Sequence, residues 1–181
     1  TLDSGPCHLP TPDRVQRIDV ETAEQMRKAV FDNLPQCDIF IAAAAVADYR
    51  PAEVQDQKIK KDDESLTLTL QRNPDILSDV AHSKTRPFVV GFAAETENMA
   101  ENAQGKLQRK KLDIIAANFV GQTEGGKQDI GFNSEYNALQ VFWSDGQTTL
   151  ETARKNILAR QLIHLIANHY QQNKNNEKDT A

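Results

Sequence analysis

The sequence predicts an α/β fold in which helices cover a mainly parallel sheet. A C-terminal hairpin is predicted to extend this sheet. Three short apolar runs support this prediction, because each has the length of a strand and is too short for a typical helix: 38–45, 87–94 and 112–117. Helical segments lie between these runs, and buried strands that alternate with helices are typical of parallel sheets. An Asp-Gly turn at 145–146 predicts the hairpin.

The N-terminal part is predicted to contain two short strands and one helix. Residues 1–4 form the end of a strand, 5–12 a loop and 15–20 a weakly alternating strand. A helix is predicted over 22–33, because Thr22 and Gln25 match a capping box and apolar residues recur on one face.

The middle of the chain carries one further strand and two helices around the apolar runs. The alternating leucines of 66–70 predict a half-exposed strand. Asn73 as N-cap and Pro74 at the first helical position predict a helix that reaches about residue 83. Thr96 is predicted to cap a second helix, which ends near Lys111.

The C-terminal part is predicted to form a hairpin, a helix and a tail. Four glycines indicate a flexible loop over 121–131, and 137–143 pairs with 147–152 in the hairpin. An amphipathic helix is predicted over 153–170. The polar residues 171–181 predict a disordered tail, so we expect one domain over 1–170 followed by this tail.

Composition and charge exclude several functional classes. The net charge of −5 argues against a nucleic-acid or anionic-membrane surface, which requires an excess of basic residues. Cys7 and Cys37 belong to no spacing typical of a disulfide framework or a zinc site. No apolar run approaches the roughly 18 residues of a membrane span, and no signal peptide is visible. We therefore expect a soluble, cytoplasmic protein.

Ligands in open parallel sheets bind beyond the carboxyl ends of the strands, and the first buried strand ends in AAAAVADYRP at 42–51. The small side chains of Ala42, Ala43 and Ala44 would let a ligand approach the backbone closely. Asp48 offers a carboxylate to a base, a sugar or a metal. An alanine-rich strand packed under a helix, with Asp48 capping a turn, explains the same residues equally simply.

The other two buried strands end in weaker candidates. Gly91 indicates a bulge or a close backbone approach. Phe92 could stack on a base or pack in the core, and Glu95 could interact favourably with the dipole of the helix that follows. Asn118 either closes a turn or contacts a ligand. The predicted helix start at 73–77 directs free backbone N–H groups outward. These groups could bind an anion, but a simple helix cap explains the same residues equally well.

Basic residues cluster in two places. Lys58 opens the segment KIKK in the polar loop 52–65, and such a loop either closes over a ligand or is merely solvated. Lys106 and Lys110 are four residues apart on a predicted helix, where like charges are mildly destabilising unless an anion lies between them. Cations near a helix C-terminus also suit the helix dipole.

Motifs of several nucleotide and metal enzymes are missing from the sequence. It contains no GxGxxG, no Walker A motif and no HExxH, and its four histidines are scattered: His8, His82, His164 and His169. Chemistry in this protein would therefore depend on positioning and electrostatics rather than on covalent catalysis.

Six motifs occur in one order: AAAAVADYRP, KIKK, NPDIL, GFAAET, KLQRKKLD running into DIIAAN, and GFNSEYNAL. This ordered set resembles phosphopantothenate–cysteine ligase, which in bacteria is the C-terminal half of a bifunctional coenzyme A biosynthesis protein. The resemblance covers residues 1–170 and implies a Rossmann-like, three-layer fold and a homodimer. It also implies that CTP and Mg²⁺ convert 4′-phosphopantothenate to an acyl-cytidylate, which cysteine then attacks. FMN belongs only to the decarboxylase half, which this chain lacks.

The resemblance also implies a site, residue by residue. Ala42, Ala43 and Ala44 resemble the family's nucleotide-contacting backbone, Asp48 its nucleotide-binding aspartate and Lys58 the catalytic lysine of a mobile strap. Further CTP contacts are implied for Pro74, Asp75, Ile76, Leu77 and Phe92. Lys106 and Lys110 resemble the lysines that meet the phosphates. Asn118 is a further candidate, and the resemblance identifies no metal ligand, so Mg²⁺ is expected to be bridged by the phosphates.

The front of the chain departs from the family pattern. No initiator Met is present, and neither the family's first strand and Gly-rich loop nor its Ser/Gly segment with an important Asn is found. We therefore expect an excerpt of a longer polypeptide that is weak or inactive alone. The alternatives are a non-catalytic nucleotide-binding or dimerisation module of the same fold and, less favoured, a dinucleotide oxidoreductase.

Overall fold

The computed structural model describes residues 1–54, 57, 65–95, 97–119 and 134–179. In chain order these residues form β1 (Leu2–Ser4), β2 (Arg17–Asp19), α1 (Ala23–Asn33), a 3₁₀ turn (Leu34–Gln36), β3 (Ile39–Ala42), β4 (Tyr49–Pro51), β5 (Leu70–Arg72), α2 (Ile76–Ala81), β6 (Phe88–Glu95), α3 (Met99–Lys110), β7 (Ile114–Phe119), β8 (Tyr136–Trp143), β9 (Gly146–Arg154) and α4 (Lys155–Asp179).

The main sheet has five strands in the order β3–β6–β7–β8–β9. β3, β6 and β7 are parallel, with Ala42 opposite Gly91 and Ala94 opposite Asn118. β8 and β9 then add the antiparallel hairpin that the Asp-Gly turn predicted. The predicted mainly parallel sheet with a C-terminal hairpin is confirmed, and β1 pairs in parallel with β2 in a small separate sheet.

Helices cover both faces of the main sheet. Alternate residues of β6 point to opposite sides, so that Val89 lies in one core cluster and Val90 in another. The first cluster contains side chains of α1, α2 and α3, and the second contains Leu162 and Ile166 of α4. Because apolar side chains cover both faces of the sheet, the sequences of its central strands are continuous apolar runs. The helices on both faces confirm the predicted three-layer arrangement.

One predicted strand is misplaced. The alternating leucines of 66–70 predict a strand, but residues 65–69 have no regular structure and β5 begins at Leu70. β5 forms where it pairs with β4, with Tyr49 opposite Arg72 and Pro51 opposite Leu70. Leu66 and Leu68 remain exposed, so their alternation does not correspond to a face packed on the core of this chain.

The structure confirms the predicted start of α1 and changes the predicted starts of α2 and α3. The capping box at the start of α1 is confirmed, with the N–H of Gln25 donating to the Thr22 hydroxyl over 3.1 Å. α2 is capped by Asp75 and not by Asn73, and it ends at Ala81. α3 begins at Met99, with Asn98 as its N-cap at φ 48°, later than predicted. The predicted cap, residue 96, lies outside the described residues.

The last helix is longer than the sequence pattern predicts. We expected α4 to end at Tyr170 and a disordered tail to follow, but the helix continues to Asp179. The Tyr170 hydroxyl donates to the Asp38 carboxylate over 2.9 Å, and the Lys174 ammonium lies 3.6 Å from the same carboxylate. These contacts fasten the helix to the start of β3. No helix in the described parts of the chain is long and apolar enough to cross a bilayer.

Candidate nucleotide site

The carboxyl ends of the three parallel strands share one edge of the sheet, where the candidate residues were predicted to meet. β3 ends at Ala42 opposite Gly91, so Phe92 lies at the level where the alanine segment leaves the sheet. Ala42 is half-buried, while Ala43 and Ala44 are exposed. The backbone is therefore open at this point, as close approach by a ligand requires.

A cluster of hydrogen bonds fixes the segment that follows. The amide of Asn73 donates to the Ala47 carbonyl over 2.8 Å and accepts from Arg50 over 2.8 Å. The backbone N–H of Asn73 donates to the Asp48 carbonyl over 2.8 Å, which leaves the exposed Asp48 carboxylate at the edge of the sheet. Arg50 also pairs with Glu24 of α1 at 2.8 Å.

This cluster explains why Asn73 does not cap α2. The oxygen and the nitrogen of its side-chain amide are engaged by residues 50 and 47, so Asp75, two residues later, accepts from the N–H of Ser78 instead, over 3.1 Å. Sequence reasoning missed the bridging role of Asn73 and Arg50. No local pattern signals it, because the partners lie more than twenty residues apart in the chain.

Lys110 meets the first turn of α2 at the same edge. Its ammonium lies 2.7 Å from the Asp75 carboxylate, with both side chains partly exposed. Partial burial would raise the pKa of Asp75, but hydrogen bonds from Lys110 and from the N–H of Ser78 outweigh it and lower that pKa overall. Two predicted site segments, 74–77 and the end of α3, are thus brought together.

Lys106 meets a different carboxylate. Its ammonium lies 2.5 Å from Oε1 of Glu95 at the end of β6, and the side-chain amide of Asn102 donates to Oε2 over 3.1 Å. Each lysine of the predicted pair therefore faces one carboxylate in this structure. The sequence suggested only a helix-dipole role for Glu95, so its pairing with Lys106 is a new element of the site.

Three other candidates are mainly packed into the core. Ile76 is buried, and Leu77 packs against the cluster on the α1–α3 side. Phe92 packs against the cluster on the α4 side and is half-buried. A Cβ added at Gly91 would lie 2.8 Å from Leu112 and 3.0 Å from Leu77, so the close approach predicted at this glycine is made by side chains. Ile76 therefore has little side-chain surface for a ligand, whereas the Leu77 side chain is only partly buried.

The remaining candidates are distributed as follows. Pro74 is exposed and lines a cavity of about 470 Å³ between α1 and α2, together with Arg27, Lys28 and Asp79. This cavity includes none of the alanines. Asn118 is half-buried inside β7, one residue before its end.

The predicted catalytic lysine is Lys58. Residue 58 lies outside the described residues, as does the predicted glycine-rich loop 121–131. β4 and β5, which pair with each other, precede and follow residue 58 in the chain. The described residues contain no group of three or more His, Cys, Asp or Glu side chains arranged to hold a metal ion.

A family model described as "DNA/pantothenate metabolism flavoprotein C-terminal domain" matches residues 1–170. The chain belongs to this family. It is 50% identical over 169 residues to the coenzyme A biosynthesis bifunctional protein CoaBC of Vibrio cholerae, covering 92% of this chain and 41% of that protein. It is 49% identical over 174 residues to CoaBC of Escherichia coli, covering 94% and 42%. The chain thus spans about two-fifths of the length of these relatives.

Solved structures agree with this family assignment. The crystal structure of the C-terminal domain of a CoaBC protein superposes with a TM-score of 0.74 at 30% identity, covering 96% of this chain and 74% of that domain. A Cab2 mutant in complex with phosphopantothenate-cysteine shares the fold, with a TM-score of 0.66 at 15% identity over 87% of this chain and 55% of the other. The Rossmann-like fold and the resemblance to the CoaBC C-terminal region are confirmed, whereas the residue assignments stay predictions.

Proposed function

We propose that this domain is a CTP-dependent ligase that joins 4′-phosphopantothenate to cysteine in coenzyme A biosynthesis. The single observation that carries the proposal is the pairing of Lys106 and Lys110 with carboxylates at the end of β6 and the start of α2, in a family member whose alanine segment after β3 is open. The names of the CoaBC relatives support the pathway, and the fold shared with a phosphopantothenate-cysteine complex is consistent with the substrate.

The reaction has two displacements. A carboxylate oxygen of 4′-phosphopantothenate attacks the α-phosphorus of CTP, and pyrophosphate leaves with the electron pair of the broken P–O bond. The cysteine amine then attacks the acyl carbon, loses a proton and expels CMP. The first step brings an anionic carboxylate to a triphosphate, so cations must offset the charge that accumulates.

The lysines suit that electrostatic task. Lys106 and Lys110 are one turn apart on α3, and each ammonium contacts a carboxylate in this structure and so can reach an anion. We assign them to the β- and γ-phosphates. Lys58 is proposed as the catalytic lysine, and it lies in the chain between the paired strands β4 and β5.

The cytidine is proposed to lie over the backbone of Ala42, Ala43 and Ala44. Asp48 would accept a hydrogen bond from the base or sugar, because its carboxylate is exposed and its backbone is fixed by Asn73. Pro74, Asp75, Ile76 and Leu77 are proposed to line the nucleotide site at the start of α2, where the Asp75 carboxylate accepts from the N–H of Ser78. Phe92 and Asn118 complete the edge.

Mg²⁺ is proposed to arrive with the nucleotide. Among the proposed site residues, Asp75 and Glu95 have carboxylates that lysines already engage, and Asp48 is assigned to the cytidine. Mg²⁺ commonly keeps several waters and binds to substrate phosphates, so the phosphates of CTP are proposed as its main ligands. When bound, the ion neutralises charge on the phosphates.

We also propose that the protein acts in the cytoplasm as a homodimer, without nucleic acid or a membrane as partner. Four apolar side chains on and beside the β4–β5 pair are more than half exposed: Tyr49, Leu66, Leu68 and Leu70. A second copy of the chain would cover them. FMN is proposed to belong to the flavoprotein part of the longer relatives and not to this domain.

Binding calorimetry with CTP, ATP and UTP in the presence of Mg²⁺ tests the proposal. We expect CTP to bind most tightly and CMP to bind more weakly than CTP, because CMP lacks the phosphates assigned to the lysines. The variant Lys106→Met should lose most of the difference between CTP and CMP, whereas Lys155→Met, at the start of α4, serves as a matched control. Equal affinity for all three triphosphates, or no binding of any, contradicts the proposal.

A further inference from the structure

Glu95 is buried although it carries a carboxylate. Its exposed fraction is 8%, and it is the charged residue that the described part of the chain buries. Removing a carboxylate from water is costly unless the group is paired and hydrogen-bonded. Both of its oxygens have such partners, because Lys106 contacts Oε1 and Asn102 contacts Oε2.

The two partners come from one face of α3. Asn102 and Lys106 are separated by one turn of the helix, so a single carboxylate at the end of β6 contacts both. The amide of Asn102 also donates to the Glu97 carbonyl over 2.9 Å, which ties the start of α3 to the chain that leaves β6. Glu95 is thus fixed by a strand on one side and by a helix on the other.

The pairing orients a side chain that is otherwise flexible. Lysine has four rotatable methylene groups and loses about 2 kcal/mol of rotamer entropy when it is immobilised. Its ammonium has three N–H donors, of which Glu95 takes one. Lys106 remains about one-third exposed, so its other donors remain available toward solvent at the carboxyl edge.

We propose that Glu95 is a positioning residue that holds the ammonium of Lys106 where the nucleotide phosphates bind. This inference rests on the proposed function, because it requires a polyphosphate at the carboxyl edge. The principle is established in protein kinases, where a glutamate keeps a phosphate-binding lysine in place. Asp75 differs from Glu95, because the Asp75 side chain is 39% exposed and the Glu95 side chain only 10%.

A series of nucleotides and variants tests the role of Glu95. CTP and CMP are titrated with Mg²⁺ into the wild-type chain, Glu95→Gln, Lys106→Met and the double variant. We expect Glu95→Gln to weaken CTP about five- to tenfold and CMP less than twofold, because only the contact with the outer phosphates is loosened. Lys106→Met should weaken CTP about tenfold or more, and the double variant should be no weaker than Lys106→Met.

The matched control is Glu101→Gln, the same chemical change at an exposed position of α3, which should leave both affinities unchanged. Thermal unfolding of each variant verifies that the fold is retained. The order parameter of the Lys106 Cε group, measured by NMR without nucleotide, should fall in Glu95→Gln, and this readout is independent of CTP.

The outcomes separate the two proposals. If the wild-type chain binds no CTP, the proposed function fails and the role of Glu95 fails with it. If the wild type binds CTP, three results overturn only the role of Glu95: unchanged or tighter CTP binding in Glu95→Gln, an equal loss for CMP, or a further loss in the Lys106→Met background. A Lys106 side chain that stays ordered in Glu95→Gln also overturns it.

Discussion

Replacing Asp75 by Asn isolates the charge at the start of α2. Asn caps helices about as well as Asp, so the hydrogen bond from the N–H of Ser78 should persist. The substitution removes the negative charge that faces the Lys110 ammonium at 2.7 Å. Its effect on stability therefore reports the ion pair between α2 and α3 and not the helix cap.

The magnitude follows from distance and exposure. Two unit charges 2.7 Å apart attract by about 1.5 kcal/mol at the dielectric constant of water. The Asp75 side chain is 39% exposed, so screening and the ordering of Lys110 reduce the net value. We expect Asp75→Asn to lower the free energy of unfolding by about 0.5–1 kcal/mol, which corresponds to about 1–4 °C in Tm for a chain of this length.

The effect should depend on pH in one direction. The folded-state pKa of Asp75 is lowered: burial opposes this shift, but Lys110 and the N–H of Ser78 outweigh it. A carboxyl group whose pKa is lower in the folded state than in the unfolded state stabilises the fold. This stabilisation is complete at pH values above the unfolded-state pKa of about 3.9, and it is lost as the pH falls through the folded-state pKa. The stability difference between wild type and Asp75→Asn should be complete at pH 7 and vanish at strongly acidic pH.

Urea unfolding at several pH values, with Lys110→Met and the double variant, checks this prediction. The two single substitutions should be non-additive, because each removes the same pair. Equal stability of Asp75→Asn and wild type at pH 7 would refute the reasoning, as would a difference that persists unchanged in acid or strict additivity in the double-mutant cycle.

Two further predictions concern packing and the hydrogen bonds beside the site. A Cβ at Gly146 would lie 2.8 Å from the Trp143 indole, so Gly146→Ala should cost about 1–3 kcal/mol in urea unfolding. Gly105→Ala has no atom within 4 Å and lies inside α3, so it should instead stabilise by about 0.5–1 kcal/mol; equal signs for the two variants would contradict this account. Asn73→Ala removes two side-chain hydrogen bonds, so it should lower the free energy of unfolding by about 1–3 kcal/mol and also weaken CTP binding. A loss of stability with unchanged CTP binding would show that Asn73 does not support the nucleotide site.

Local sequence patterns determined the elements whose stability depends on nearby residues. The capping box at Thr22 and the Asp-Gly hairpin are formed by residues a few positions apart, so the sequence contains all their partners. The apolar runs at 38–45, 87–94 and 112–117 predicted buried parallel strands, and β3, β6 and β7 form there. β6 and β7 are covered on both faces, whereas the edge strand β3 is only partly buried. The order of six motifs predicted the family, which the family match confirms.

Only the tertiary structure decided which polar groups meet. Asn73 was predicted to cap α2, but contacts with Ala47 and Arg50 occupy its amide, and the cap passes to Asp75. Glu95 and Lys106 come together because β6 and α3 pack side by side, and Asp75 reaches Lys110 because α2 packs against α3. The physical reason is that each polar group binds the partner that the packed backbone brings near, and sequence spacing alone does not contain that distance. The sequence therefore predicted the lysines of the proposed site, and only the folded structure shows which carboxylate pairs with each lysine.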